Sequence, residues 1–240
     1  MTVLESRLMQ RESVAEGTMA FYFSKPAGFR HEAGQSLLLT LVDPPETDGE
    51  GNSRTFTIAS APHEPELMIA TRMRDTAFKR VLKTAPIGAA VSLDGPNGAK
   101  VLHDDVERPA VFLAGGIGIT PFLSIVRHAV KQRTGHRIHL FYANRRPEDA
   151  AFLSELQEME QLAPGYRLIA VMSQPERSAL RWSGETGHIR RELLVRHLTD
   201  LKSLMYYFAG PPAMTMAMRG MLQDIGVGEQ AMRYEEFYGY

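Results

Sequence analysis

At about residue 109 the hydrophobic rhythm of this chain changes, and the change limits the folds open to it. Upstream, apolar runs of strand length at Met19 to Phe23, Ser36 to Val42, Glu66 to Thr71 and Ala90 to Leu93 are separated by turn formers. These are Pro44-Pro45, Asp48-Gly49, Pro62 and Gly95-Pro96-Asn97-Gly98. Short strands at this spacing predict a small antiparallel β-barrel. One short helix is expected at Thr76 to Lys83, with Phe78, Val81 and Leu82 inward, and the polar stretch Asp43 to Ser53 reads as a mobile hairpin loop. Downstream, apolar strands at Ala110 to Ala114, Ile138 to Ala143, Arg167 to Met172 and Leu204 to Ala209 alternate with helical segments. The helices are expected at Pro121 to Thr134, Pro147 to Leu162, Arg190 to Leu198 and Pro212 to Ile225. That alternation calls for a parallel sheet covered on both faces, with ligands at the carboxyl ends of its strands. The expected architecture is therefore a β domain over 1–104 and a Rossmann-like α/β domain over 105–240, joined through the charged connector His103 to Arg108.

Composition narrows the function classes. With 27 Lys and Arg against 28 Asp and Glu, nothing points to a nucleic-acid partner or to membrane insertion. The absence of cysteine excludes disulfides, thiolate zinc sites, cysteine nucleophiles and cysteine-held iron–sulfur clusters from these 240 residues. Any iron–sulfur centre in the pathway is expected on a separate protein. Met1 to Glu16 is charged throughout and lacks the apolar centre of a signal peptide. The uncharged stretch from Pro109 up to Arg127 is broken by glycines and a proline. The expectation is a soluble, cytoplasmic protein. The eight histidines show no metal-ligand spacing, so no metal site is expected, and no Gly-x-Ser-x-Gly elbow suggests a hydrolase.

Two motifs carry chemistry. Gly115-Gly116-Ile117-Gly118-Ile119-Thr120-Pro121 follows the strand Val111 to Ala114 and precedes a helix whose inner face is Phe122, Ile125, Val126, Ala129 and Val130. A strand, a glycine turn and a helix N-terminus together cradle an anion, because the backbone approaches closely and its first N–H groups are free. Pro121 suits the first turn, where a missing donor matters least. Further upstream, Arg54-Thr55-Phe56-Thr57-Ile58-Ala59-Ser60 alternates across a strand, with Arg54, Phe56 and Ile58 on one face. On its own this run is also what an ordinary amphipathic strand looks like.

Taken in order, these motifs resemble those of the ferredoxin–NADP⁺ reductase superfamily. That family has an Arg-x-Tyr-Ser flavin motif in an N-terminal barrel, then Gly-Gly-x-Gly-x-Thr-Pro, then a Cys-Gly-Pro-Pro-like strand end. Here the last is Ala209-Gly210-Pro211-Pro212-Ala213-Met214. The resemblance covers nearly the whole chain and implies a flavin, FAD before FMN, with NADP(H) or NAD(H) as substrate. It implies that Arg54 binds the flavin pyrophosphate, that Phe56 packs on the isoalloxazine, and that the Thr57 hydroxyl reaches flavin N5. Further flavin contacts are implied at Ile69, along Ala70 to Arg74 with Thr71 among them, and, at a helix start, at Thr76. The family's glycine is missing from Arg74-Asp75-Thr76, and Asp75 would repel phosphate unless turned away.

Gly116, Gly118 and Thr120 are implied on the nicotinamide nucleotide, with Gly210, Pro211 and Met214 as the opposite lip. For Thr120, helix capping is an equally open reading. Ala209 replaces a cysteine common in relatives. Arg145 and Ser173, with Asn144, Arg146 and Arg177, are candidates for choosing between NADPH and NADH. Their arginines favour NADPH, although Ser173-Gln174 lacks the Ser-Arg pair of NADPH-specific relatives. In the aromatic ending Tyr234 to Tyr240, Tyr238 or Tyr240 would cover the flavin and Glu236 would relay a proton; packing of a tail strand is the other reading. The implied activity passes a hydride between NAD(P)H and FAD and single electrons to or from a separate protein such as ferredoxin or flavodoxin. The rivals are a flavin reductase or diaphorase, the reductase component of an oxygenase with that oxygenase component as partner, and a non-catalytic electron-transfer or redox-sensing subunit.

Overall fold

The protein is described from a computed structural model over residues 3–98 and 102–237. Its first half contains β1 (Leu4–Ala15), β2 (Thr18–Ser24), β3 (Ser36–Leu41), β4 (Ser53–Thr57), β5 (Glu66–Arg72), α1 (Ala77–Thr84) and β6 (Ala90–Asn97). The strands form one antiparallel, barrel-like sheet in the order β4-β3-β6-β1-β2-β5. Leu8, Phe21, Leu39, Ile69, Phe78 and Leu93 are buried together inside it.

The second half contains β7 (Ala110–Gly115), α2 (Ile119–Gln132), β8 (Ile138–Asn144), α3 (Leu153–Leu162), β9 (Tyr166–Met172), β10 (Glu185–Thr186), α4 (Arg191–His197), β11 (Met205–Gly210), α5 (Pro212–Ile225) and β12 (Met232–Glu236). Its sheet is parallel throughout, in the order β10-β9-β8-β7-β11-β12. The chain runs outward from β7 through β8 to β9, then returns to the far side of β7 for β11 and β12. The strand order therefore reverses between β7 and β11, and a crevice opens at their carboxyl ends. Every residue of β7 and of β11 is buried, as expected of central parallel strands.

The expected two-domain architecture is the one observed, with local corrections. The charged stretch at the N-terminus, to which the sequence pattern assigned no element, is β1, a central strand. Only Ser6 and Leu8 of it are fully buried, so its outward charges mask the alternation. Ser6 sits inside because its hydroxyl donates to the Ser24 carbonyl at 2.6 Å. Helix α2 begins at Ile119, earlier than the expected Pro121, because Gly116–Gly118 already forms a 3-10 turn leading into it. Pro147 starts another 3-10 turn, and α3 begins only at Leu153, after Phe152 takes a left-handed φ of 61°.

The halves are fastened through polar contacts. The Ser124 hydroxyl of α2 donates to the Ser60 carbonyl of the barrel at 2.7 Å. Arg127 of α2 donates to Glu155 of α3 through Nε and Nη2, at 2.6 and 2.8 Å, and through Nη1 to Glu64 of the barrel at 3.3 Å. Arg146, one candidate for coenzyme choice, holds Glu16 at 2.7 Å and Asp149 at 2.9 Å. Its charge is already committed to joining the two halves.

Candidate functional site

The glycine turn is shaped by contact between strand ends. A Cβ on Gly118 would collide with the Ala209 carbonyl, and one on Gly115 with the Met214 sulfur. A Cβ on Gly210 would lie 3.2 Å from that sulfur and 3.3 Å from Gly115 Cα. Gly116 has a φ of 53°, which a side chain disfavours. Three of these glycines let β7 and β11 approach, while Gly116 turns the backbone. The Thr120 hydroxyl donates to the Ile117 carbonyl at 3.1 Å, and the residue is only 2% exposed. It braces the turn from inside.

Around this turn lies a cleft of about 660 Å³ lined by Gly116, Arg145, Ser173, Pro211 and Met214. The sequence had suggested all five. The cleft also takes Arg72 and Arg74 from the barrel, and His188 beside Gly187 from the segment before α4. His188 and Gly187 were missed; the only signal available was a glycine ending a polar stretch. Hydrogen bonds between loops fix the cleft floor: Ser173 N–H donates to the Asn144 carbonyl and Gln174 N–H to the Arg145 carbonyl, at 3.0 and 2.8 Å. Asp149, its acidic lining residue, is neutralised by Arg146.

Glu236 pairs in register with Gly210 and accepts a hydrogen bond from the Thr215 hydroxyl at 3.3 Å. The tail therefore packs as strand β12 and also delivers a carboxylate beside the Gly-Pro-Pro lip. Tyr238 and Tyr240 lie outside the described residues.

In the barrel, Arg54 and Phe56 stand on β4 beside α1, where the Arg54 guanidinium lies 5.2 Å above the Phe78 ring. Phe56 packs on that ring, 5.8 Å between centroids. Thr57 ends the strand and is 5% exposed. Ile69 is fully buried, its side chain in the barrel core and its strand position opposite Phe21. Thr71 is also buried, its hydroxyl directed to the Arg72 carbonyl at 3.3 Å. Thr76 caps α1, accepting from Lys79 N–H at 3.4 Å. Asp75 is turned onto Arg80 at 2.6 Å, away from the helix start.

The stretch 43–53 is not the loose loop that its polarity suggested. Its carboxylates tie it to the barrel: Glu46 binds Arg80 at 2.6 Å, Glu50 binds Arg54 at 2.8 Å, and Asp48 accepts from Ala77 N–H at 3.0 Å. The same region is rich in cations. Lys79 is pushed below the usual amine range, first by burial and then by the charges of Arg74 and Arg54. The residues present thus fit a phosphorylated flavin in kind: two arginines, a lysine, a helix start and an aromatic face.

Residues 112–220 match the family model described as the oxidoreductase NAD-binding domain. The whole described fold superposes on a ferredoxin NADP⁺ reductase from Neisseria gonorrhoeae, solved with bound FAD and NADP. The TM-score is 0.79 at 20% identity, covering 98% of each chain. The second half thus carries an oxidoreductase NAD-binding domain, and the chain as a whole has the fold of a ferredoxin–NADP⁺ reductase. In sequence, the chain is 26% identical over 225 residues to the glycine betaine monooxygenase reductase subunit of Chromohalobacter salexigens, covering 92% of this chain and 60% of the relative. It is 30% identical over 156 residues to an NADH-cytochrome b5 reductase 1 of Aspergillus terreus, covering 62% of this chain and 52% of the relative. The chain thus spans between about half and three fifths of the length of these relatives. Among its described residues no helix is long and apolar enough to cross a membrane, and no cluster of metal-ligating side chains is present.

Proposed function

We propose that the protein is an NAD(P)H-dependent flavoprotein reductase that passes single electrons to a separate protein. The observation that carries this reading is the cleft itself. Its glycine turn, Arg145, Ser173 and the Pro211–Met214 lip meet the barrel's Arg72 and Arg74 across one cavity of about 660 Å³. A nicotinamide nucleotide on the strand ends is thereby brought against whatever the barrel holds. FAD is the proposed barrel ligand; when bound it supplies acceptance of a hydride and release of electrons one at a time.

The chain's own residues have defined tasks. Gly115, Gly118 and Gly210 let the strand ends and the Met214 side chain pack closely, which sets the shape of the cleft beside them. Phe56 offers its face, and Thr57 a hydroxyl at the strand end. Glu236, held by Thr215, is the proposed proton carrier at the lip. Arg145 and Ser173 are the proposed coenzyme-selecting residues, with NADPH preferred because an extra phosphate favours arginine. Ferredoxin, flavodoxin or an oxygenase component is the proposed acceptor; the reductase subunit of an oxygenase among the relatives favours the last. A cytoplasmic location is part of the same proposal.

The test is an anaerobic visible spectrum of the purified protein after loading with FAD, before and after NADPH, with NADH in parallel. Bleaching by either nucleotide is the expected result, faster with NADPH. A flavin spectrum that neither nucleotide changes would leave a flavin-binding electron-transfer subunit. A protein that takes up neither FAD nor FMN would end the flavin reading.

A further inference from the structure

This inference rests on the flavin reading above. Where β4 meets α1, the Arg54 guanidinium and the first N–H groups of the helix form a corner that attracts anions. A side chain of this same chain fills it. Asp48 accepts from Ala77 N–H through Oδ2 at 3.0 Å, and from Arg54 Nη2 through Oδ1 at 3.5 Å. Glu50 N–H donates to Oδ1 as well, at 3.0 Å. The remaining reach of Arg54 is spent on the same loop. Its Nη2 donates to the Glu50 carboxylate at 2.8 Å, and its Nη1 to the carbonyls of Glu50, Gly51 and Ser53 at 2.8, 3.1 and 2.8 Å. The Asp48 carboxyl is held below the usual carboxylate range, first by Glu50 N–H and then by Ala77 N–H and Arg54, so it is anionic near neutral pH.

A carboxylate seated between a guanidinium and a helix N–H takes the donors that a phosphate oxygen would take. We propose that Asp48 is a built-in competitor for the phosphate of the flavin, and so sets how tightly phosphorylated flavins are held. A phosphate approaching Arg54 with Asp48 in place meets a guanidinium already shared by two carboxylates. Yet this strap lies at the surface: the Asp48 and Glu50 side chains are 32% and 72% exposed. Exposed ion pairs are individually weak, so the strap yields to a phosphate while subtracting from its affinity.

The experiment measures dissociation constants of FAD, FMN and riboflavin by quenching of flavin fluorescence, for the full chain and for Asp48→Asn and Asp48→Ala. Asparagine keeps an acceptor for Ala77 N–H but removes the charge; alanine removes both. FAD and FMN are expected to bind about tenfold more tightly to both variants, the size of one charge-assisted contact. Riboflavin, which has no phosphate, should bind all three proteins alike. FAD binding that is unchanged or weaker in Asp48→Asn, with a wild-type melting temperature, overturns the proposal and leaves the flavin reading standing. Equal tightening of riboflavin also overturns it, because the loop would then act on the ring. If no flavin binds any of the three proteins, the flavin reading falls and takes this proposal with it.

Discussion

Single atoms decide the shape of the nucleotide cleft. At Gly118 the obstacle to a side chain is the Ala209 carbonyl, which is backbone and has no rotamer to change. Gly118→Ala should therefore destabilise the fold by about 1–3 kcal/mol and raise KM for the nicotinamide nucleotide, read by thermal melting and steady-state kinetics. Gly116→Ala meets open space but a φ of 53°, so its penalty should be backbone strain of about 1 kcal/mol. The glycines were legible in the sequence; their separate jobs were not, because a close approach between strands distant in the chain leaves no local mark. His31 shows another residue-scale effect. It is 7% exposed, with Nε2 3.3 Å from the Ser60 carbonyl, and burial pushes its pKa down to about 4. The folded state binds that proton less readily than the unfolded chain. Stability should therefore fall as pH drops from about 6.5 toward 4, and His31→Gln should flatten that part of a denaturation profile.

Elements were legible where their periodicity was clean. The central strands of the parallel sheet are apolar along their whole length, and α5 runs over Pro212–Ile225 as its spacing predicted. Strand β1 was hidden because most of its side chains face water, and its inward side is a serine and a leucine. Leu8 is fully buried while its neighbour Met9 is 45% exposed. Leu8→Ala should cost about 2–4 kcal/mol, and Met9→Ala less than about 0.5 kcal/mol, in urea denaturation. Equal losses would mean that β1 does not alternate in this way. Strand β4 ends at Thr57, short of the expected Ser60, and Thr57 to Ser60 are all buried, so the expected alternation does not continue past it; the loop before it was taken as free. Polar composition predicts exposure; whether exposed carboxylates find partners depends on α1, more than twenty residues further along.

At the scale of the molecule, the α/β half meets the barrel through an apolar seam that takes in Ala20, Ala59, Met68 and Ala70, flanked by buried and half-buried charge. Arg127 is central: 14% exposed, it joins Glu155 and Glu64, and its guanidinium lies 5.8 Å from the Phe152 ring. Arg127→Met should remove about 1–3 kcal/mol and split one calorimetric transition into two as the halves lose their tie. A single unshifted transition would assign the coupling to Arg146 and Ser124 instead. None of these ties was visible in the sequence, since an ion pair between distant segments has no spacing to read.

The surface strap carries a further consequence for the response to ionic strength. Salt ordinarily loosens the hold of cationic residues on a phosphate. Here the same salt also loosens Asp48 and Glu50 from Arg54, and the two losses oppose each other. Flavin retention in the natural chain should therefore vary little between dilute and concentrated buffer, while Asp48→Asn should acquire the steep dependence that the strap conceals.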